Sequence, residues 1–399
     1  MHKYLMLLAV LPLLASAESS VSPAALALHQ RLLVLDSHLD TPLSLTRPGW
    51  DILERHDYRQ DGSQVDLPRM REGGLDGGFF AIYTPQGPRT EEGRAYASAY
   101  GLATLTRIRD VIERNPESFA LALNADDARR IAAQGKRVVF ISMENAEPLS
   151  SAPELLNTYY RQGLRMLGLV HFMNNELADS ATALPEWHGL SPKGRELVQQ
   201  ANRLGILLDV SHASDAVFDQ VLALSSAPII ASHSSSRAVN NHPRNLDDAR
   251  VRQLAAKGGV IQVNAYSDYL IPLSTNLERN KAMAQLGARF HNLAALSPEQ
   301  TQQLYQERDS INQRFAQPQA SLDVFMQHLL HLLEVAGTEH VGIGADWDGG
   351  GGVSGLEDVS RLPVITQRLL DAGYSEEQIG NIWSGNLLRV LQEAQAAAR

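Results

Sequence analysis

The chain has 399 residues, 44% of them hydrophobic, enough to bury a large core in one big α/β domain or two smaller ones. Its 35 basic and 45 acidic side chains give a net charge of -10, which disfavours nucleic acid and anionic membrane surfaces and leaves a small molecule or peptide as the natural partner. There is no cysteine, which excludes thiolate nucleophiles, Cys-bound zinc and a lipoprotein anchor; any metal must be held by His, Asp and Glu.

The first residues, MHKYLMLLAVLPLLASAESS, read as a secretory signal peptide. Lys3 is the basic region, Leu5 to Leu14 the apolar run and Ala15-Ser16-Ala17 the cleavage site, with removal expected after Ala17. The apolar run is shorter than the roughly 20 residues that span a bilayer. The C-terminal QEAQAAAR lacks the hydrophobic tail of a lipid-anchor signal. The expectation is a soluble, exported protein, most simply periplasmic, with residues 18 to 399 as one domain.

The next signal is LLVLDSHLD, residues 32 to 40, an apolar run that ends with Asp36, His38 and Asp40 at alternate positions. Residues 44 to 76, rich in Arg, Asp and Gly, read as a long loop over one end of the fold. Further strand-like runs follow at 77 to 83, 137 to 144, 164 to 171, 206 to 212, 228 to 234, 258 to 265 and 340 to 346. Helical patterns separate them, with start signals such as Ser191 followed by Pro192, and the capping box SEEQ at Ser375. Residues 266 to 320 are polar and helical in pattern and read as an insertion after the seventh strand. Eight strands alternating with helices predict a (β/α)8 TIM-type barrel, with a doubly wound open sheet as the alternative. GADWDGGGG, 344 to 352, lacks the Lys-Ser/Thr of a P-loop and reads as a flexible turn after the last strand. No Ser lies in a G-x-S-x-G elbow.

Metal-capable side chains stand where the apolar runs stop: His38 and Asp40, Glu144, His171, His212, His233 and Asp346. In a barrel these C-terminal ends converge on one mouth. A single His at a strand end is usually a hydrogen-bonded or surface residue, but that account must be invoked at strand end after strand end. His and carboxylate ligands suit Zn²⁺ and related ions, with His38 and Asp40 gripping one ion and Glu144 bridging to a second held by His212 and His233. Such a pair would lower the pKa of a shared water and polarise a carbonyl. Asp36, deeper on the same face, reads as a group that orients a ligand. His56, His188, His291, His328 and His331 fall in predicted loops or helices and read as ordinary histidines. By itself Arg244 reads as an ordinary surface arginine.

Six segments in order, DSHLDTPL, ISMENAEPL, LVHFMNNELADSA, DVSHAS, ASHSSSRAVNNHPRN and HVGIGADWDGG, resemble the membrane (renal) dipeptidases of the amidohydrolase superfamily. The likeness extends to GLEDVSRLP and IWSGNLLRV near the C-terminus. It implies a distorted (β/α)8 barrel with two zinc ions, His38 and Asp40 on the first, Glu144 across both, and His212 with His233 on the second. It also implies that His171 contacts the substrate carbonyl and the tetrahedral intermediate. Arg244 would receive the free carboxylate of a dipeptide, and Asp346 would stand near the amine and the scissile nitrogen. The expected reaction is attack of a bridging hydroxide on the peptide bond, with proton transfer from Asp346 to the leaving amine. Tolerance for a D-residue at the C-terminal position, activity on β-lactam-like amides and a homodimer follow from the same resemblance. The segment FMNNELADSA departs from the family's Asn-and-Trp pattern, and 266 to 320 is longer and more polar than in the mammalian members. Those departures concern side-chain preference and assembly. A deacylase or lactonase on the same scaffold and a non-catalytic binding protein are the competing readings.

Overall fold

Runs such as GGFFAIY and RVVFISME carry apolar residues on both faces, as strands of a parallel sheet covered on both sides require. A computed structural model of the chain describes residues 20 to 290 and 296 to 398; the expected leader, 1 to 17, and His291 lie outside them. The strands are β1 (Leu35–Leu39), β2 (Gly77–Tyr83), β3 (Phe119–Leu121), β4 (Arg137–Glu144), β5 (Leu164–Gly168), β6 (Leu207–Asp209), β7 (Ile230–Ser234), β8 (Val260–Val263) and β9 (Val341–Ile343). They pair in parallel in the order β1-β2-β4-β5-β6-β7-β8-β9, with β3 added outside on β4. The barrel is nearly closed by a parallel bridge between Leu39 and Trp347, where Asp40 N–H donates to Trp347 O at 2.8 Å.

All eight expected runs contain a strand, mostly shorter than the apolar run around it. β3 was not expected: three residues carry too little pattern to be read. Helices lie between successive strands, and those opened by Ser191 and by the Ser375 capping box start as the sequence predicts. The segment at 44 to 76 is not one loop. It holds the short helices Tyr58–Asp61 and Leu67–Glu72, tied down by Arg69, which is 1% exposed and bonds Asp66, Ser63 and Asp358.

Between β8 and the buried helix Leu322–Ala336 lie the helices Ser267–Leu270, Leu277–Arg289 and Pro298–Arg314, which is the helical insertion after the seventh barrel strand. Among the described residues no helix is long and apolar enough to cross a membrane. A cluster that includes Leu35, Phe79, Phe140, Met166, Leu207, Ile230 and Val260 packs the strands against the helix Asn386–Ala396. That packing makes the strands a rigid base for the loops at their C-terminal ends.

Candidate metal centre

The strand ends bring the candidates together. His38 Nε2 lies 3.5 Å from Asp40 Oδ2, 3.6 Å from Glu144 Oε2 and 4.0 Å from Asp346 Oδ1. The other oxygen of Glu144, Oε1, is 2.9 Å from His212 Nε2, 3.4 Å from His233 Nε2 and 3.8 Å from His171 Nε2. One buried carboxylate thus faces ligand-type atoms with each of its oxygens, and the two sides meet where His38, Glu144 and His233 bring ligand atoms within 4.8 Å of one another. His171 and Asp346 lie as close to this cluster as the other five, so proximity alone does not assign their roles.

His38 and His233 lie within strands and Glu144 ends one, but His171, His212 and Asp346 lie three residues beyond β5, β6 and β9. His212 and Asp346 have φ of 66° and 64°, a left-handed conformation that costs a non-glycine residue on the order of 1–3 kcal/mol. That kink takes the backbone out of the sheet at the point where the side chain joins the cluster. The glycine-rich turn at 349 to 352 is pinned rather than loose: Gly349 and Gly351 N–H both donate to Asp346 O, and Asp348 bonds Thr41 and Gln64. At Gly349 an added Cβ would run into Asp40 Oδ2 and Asp346 Oδ1.

Two aspartates under the cluster orient it. Asp36 accepts from His38 N–H at 2.9 Å and Ala345 N–H at 3.1 Å, tying β1 to the end of β9, and points to no ligand-type atom. Asp209 accepts from Ser211 and Ser232 N–H and, at 2.5 Å, from Ser232 Oγ, which in turn meets His233 Nδ1 at 2.8 Å. A hydroxyl that donates to Asp209 accepts from His233 Nδ1–H, which leaves Nε2 with its lone pair free. Asp209 was missed in the sequence, although it precedes His212 much as Asp36 precedes His38.

Burial and like-charge proximity set the electrostatics. Burial, helped by Glu144, pushes the Asp40 carboxyl up to about 7, and burial raises Asp346 as well. Burial also favours protonation of Glu144, yet the charge on the imidazole of His38 and a hydrogen bond from His212 hold it well below the usual range. For His38 the desolvation penalty is outweighed by Glu144 and Asp40, which raise it. Burial lowers His212 and His233 strongly and His171 to about 4, so these rings are neutral, as ligation requires.

Arg244 is not at the surface. It is 2% exposed, donates to His233 O at 3.1 Å and lies 4.9 Å above the Tyr269 ring, while its Nε has no hydrogen-bond partner. A cavity of about 240 Å³ opens over the cluster, lined also by Phe172, from the segment FMNNELADSA, and by Tyr83, Tyr266, Tyr269 and Arg308, which the sequence did not single out. Roomier hollows elsewhere hold no such convergence; the one of about 780 Å³ between helices 215 to 224 and 248 to 256 is lined by paired ions such as Asp219 and Arg250. His56, His188, His328 and His331 stand outside the cluster, with hydrogen bonds to Asp51 O at His56, to Leu270 O at His328 and to Asp248 at His331.

The donor set fits divalent ions. His38 Nδ1 and Nε2, Asp40 Oδ1, Glu144 Oε2 and His212 Nδ1 are buried without hydrogen-bond partners, which leaves several of the cluster's donor atoms available to an ion. Three groups of imidazole and carboxylate, each with ligand atoms within 4.8 Å of one another, share His38 or Glu144. Nitrogen and oxygen donors without sulfur suit zinc and its neighbours.

Comparison with known proteins converges on the same chemistry. The membrane dipeptidase model, peptidase family M19, matches residues 23 to 399. Dipeptidase verJ of Clonostachys rogersoniana is 30% identical over 375 residues, 91% of this chain and 84% of that protein. Among solved structures, the "probable dipeptidase PvdM" of Pseudomonas aeruginosa is 32% identical with a TM-score of 0.80, covering 94% of this chain and 98% of that one. A Rhodobacter sphaeroides metallopeptidase, solved with a phosphinate mimic of the dipeptide L-Ala-D-Ala, is 26% identical with a TM-score of 0.73, covering 91% and 99%. With the barrel, the ligand cluster and a match over nearly its whole length, the chain belongs to the membrane dipeptidase family M19 and is a metallo-dipeptidase.

Proposed function

We propose that this dipeptidase works with two zinc ions, His38 and Asp40 holding the first, His212 and His233 the second, and Glu144 both. The observation that carries this reading is that the two oxygens of Glu144 face different groups of side chains. Bound there, the ions would lower the pKa of water and polarise the peptide carbonyl. Arg244 receives the free C-terminal carboxylate through a planar fork with unused donors. His171, neutral because it is buried, donates to the carbonyl oxygen as charge develops on it. Asp346, whose carboxyl is raised by burial and bonded by Asn264 at 3.2 Å, holds the proton that passes to the leaving amine.

Tolerance for a D-residue at the C-terminal position is supported by the L-Ala-D-Ala mimic bound by the Rhodobacter relative, and β-lactam-like amides belong to the same proposal. The cavity of about 240 Å³ is smaller than the ~300–1,000 Å³ typical of sites for drug-sized ligands, which suits a dipeptide. The leader sequence supports export to the periplasm with cleavage after Ala17, and the family resemblance supports a homodimer.

Metal analysis of purified protein with a dipeptide panel of both chiralities tests this reading. Two zinc ions per chain, loss of activity on chelation, return with zinc, and poor turnover of substrates whose carboxylate is blocked are expected. Full activity after chelation would sink the metal mechanism, and equal turnover of blocked substrates would favour a deacylase.

A further inference from the structure

The helix Pro298–Arg314 has no buried residue, yet it reaches the cavity over the metal ligands through Arg308. One turn earlier, the Tyr305 ring carries two guanidinium groups, Arg308 at 4.7 Å and Arg47 at 4.2 Å from its centroid. Arg47 lies a few residues beyond Asp40, after the short helix Thr41–Ser44. Two like charges against one ring repel each other, and a chain with 45 acidic residues has ample means to neutralise them. It does so elsewhere: Arg237 and Arg250 are locked onto Asp215 and Asp219 at 2.8 Å.

Arg47 and Arg308 are not so held. Arg47 donates to Asp61 O and forms no ion pair among the described residues. Among the described residues Arg308 pairs only with Asp309, its neighbour in the chain, at 3.4 Å. The Nε of each is buried without a hydrogen-bond partner. Asp348 lines the same cavity and feels the charge of Arg47, but its oxygens accept from Thr41 Oγ1 and Gln64 N–H rather than from either guanidinium. Arg244 lies elsewhere, buried behind the lining residue Tyr269 and against His233.

We propose that Arg308, backed by Arg47, receives a carboxylate on the side chain of the substrate, so that dipeptides containing an aspartyl or glutamyl residue are the preferred class. A planar guanidinium with free donors matches a carboxylate in shape and charge, and two cations make the position selective against lysyl and arginyl side chains. The inference rests on the dipeptidase reading, in which Arg244 takes the main-chain carboxylate.

The test is kcat/KM of the zinc-loaded full chain on alanyl-alanine, alanyl-glutamate, glutamyl-alanine, alanyl-lysine and lysyl-alanine, with L- and D-residues at the C-terminal position. At least one glutamyl substrate is expected to exceed its lysyl counterpart by about tenfold, an advantage that shrinks as salt is added. Arg308→Gln should remove about tenfold more from the glutamyl than from the alanyl substrate, chiefly through KM. Arg308→Lys should keep part of the preference, and Arg308→Glu should turn it toward lysyl substrates. A wild type indifferent to side-chain charge would overturn the proposal. So would an Arg308→Gln variant that loses the same factor on every dipeptide, which marks a purely structural clamp on Tyr305. Failure to cleave any dipeptide would overturn this proposal together with the catalytic reading beneath it.

Discussion

The chain Asp209, Ser232, His233 shows how single residues set the ligand geometry. Its hydroxyl fixes which nitrogen of His233 carries the proton, so Ser232→Ala should leave the ring free to present the wrong tautomer. Zinc affinity is expected to fall about 10–100-fold, with activity restored at high zinc, as read by metal titration. Unchanged affinity would remove the orienting role. Gly349 acts through space rather than conformation, because it is not among the residues with positive φ. Gly349→Ala should therefore fold normally yet displace Asp40 or Asp346, lowering kcat/KM by about 100-fold, while an unfolded variant would show that the turn is structural instead. That His38, Asp40, Glu144, His212 and His233 would converge was legible because metal-capable residues interrupt apolar runs. Arg244 was singled out only by resemblance, and its burial had no local signal, since nothing in HPRN marks an arginine that tertiary packing covers. Arg308 and Tyr269 had no signal at all, because each enters the cavity from a helix of the insertion after β8, whose polar pattern does not mark the residue that meets the site.

Elements were legible in proportion to their length and pattern. Runs such as Arg137–Glu144 announce themselves, whereas Phe119–Leu121 pairs with the first residues of β4, Arg137 to Val139, before β5 joins at Ile141. The segment 44 to 76 looked like a loop because what orders it is polar: Asp66 caps the helix Leu67–Glu72 and pairs with Arg69 at 2.7 Å, and Asp358 joins from 289 residues away. A buried ion pair of this kind adds little net stability when intact, but removing one partner strands the other charge. Arg69→Ala should cost about 3–5 kcal/mol in a urea titration, most of it from the uncompensated carboxylate of Asp66. Arg69→Ala with Asp66→Asn should recover part of that loss. A single variant within 1 kcal/mol of wild type would mean that water replaces the pairing and that the segment is held by its apolar residues, Val65, Leu67 and Met70.

At the scale of the whole molecule, pH acts through histidines that hold distant parts of the fold together. His29 Nε2 donates to Gly73 O at 2.8 Å, and its Nδ1 accepts from Thr366 Oγ1, whose lone pair takes Trp383 Nε1–H. His328 Nε2 donates to Leu270 O, and its Nδ1 accepts from Ser236 N–H. Each ring is thus locked as one neutral tautomer, and a second proton would cost a hydrogen bond as well as a buried charge. Burial lowers both from the ordinary 6.5 to about 4, opposed by the carbonyl bonds. Between those limits the unfolded chain binds the proton and the native one does not, so stability is full above pH 6.5 and is lost as pH falls toward 4. At about 1.4 kcal/mol per pH unit, the gap between 6.5 and about 4 sets a ceiling of roughly 3.5 kcal/mol per residue, most of it reached by pH 4.5. Metal release would add its own acid sensitivity, because ligand histidines must be neutral. The comparison therefore belongs in chelator, with wild type against His29→Gln, where the site contributes equally to both. On going from pH 7.5 to pH 4.5 the wild type should lose about 2–3 kcal/mol more unfolding free energy than the variant. Parallel losses would mean that His29 titrates normally and that the contact between the helix Pro23–Arg31 and Thr366 stays intact when the ring is charged.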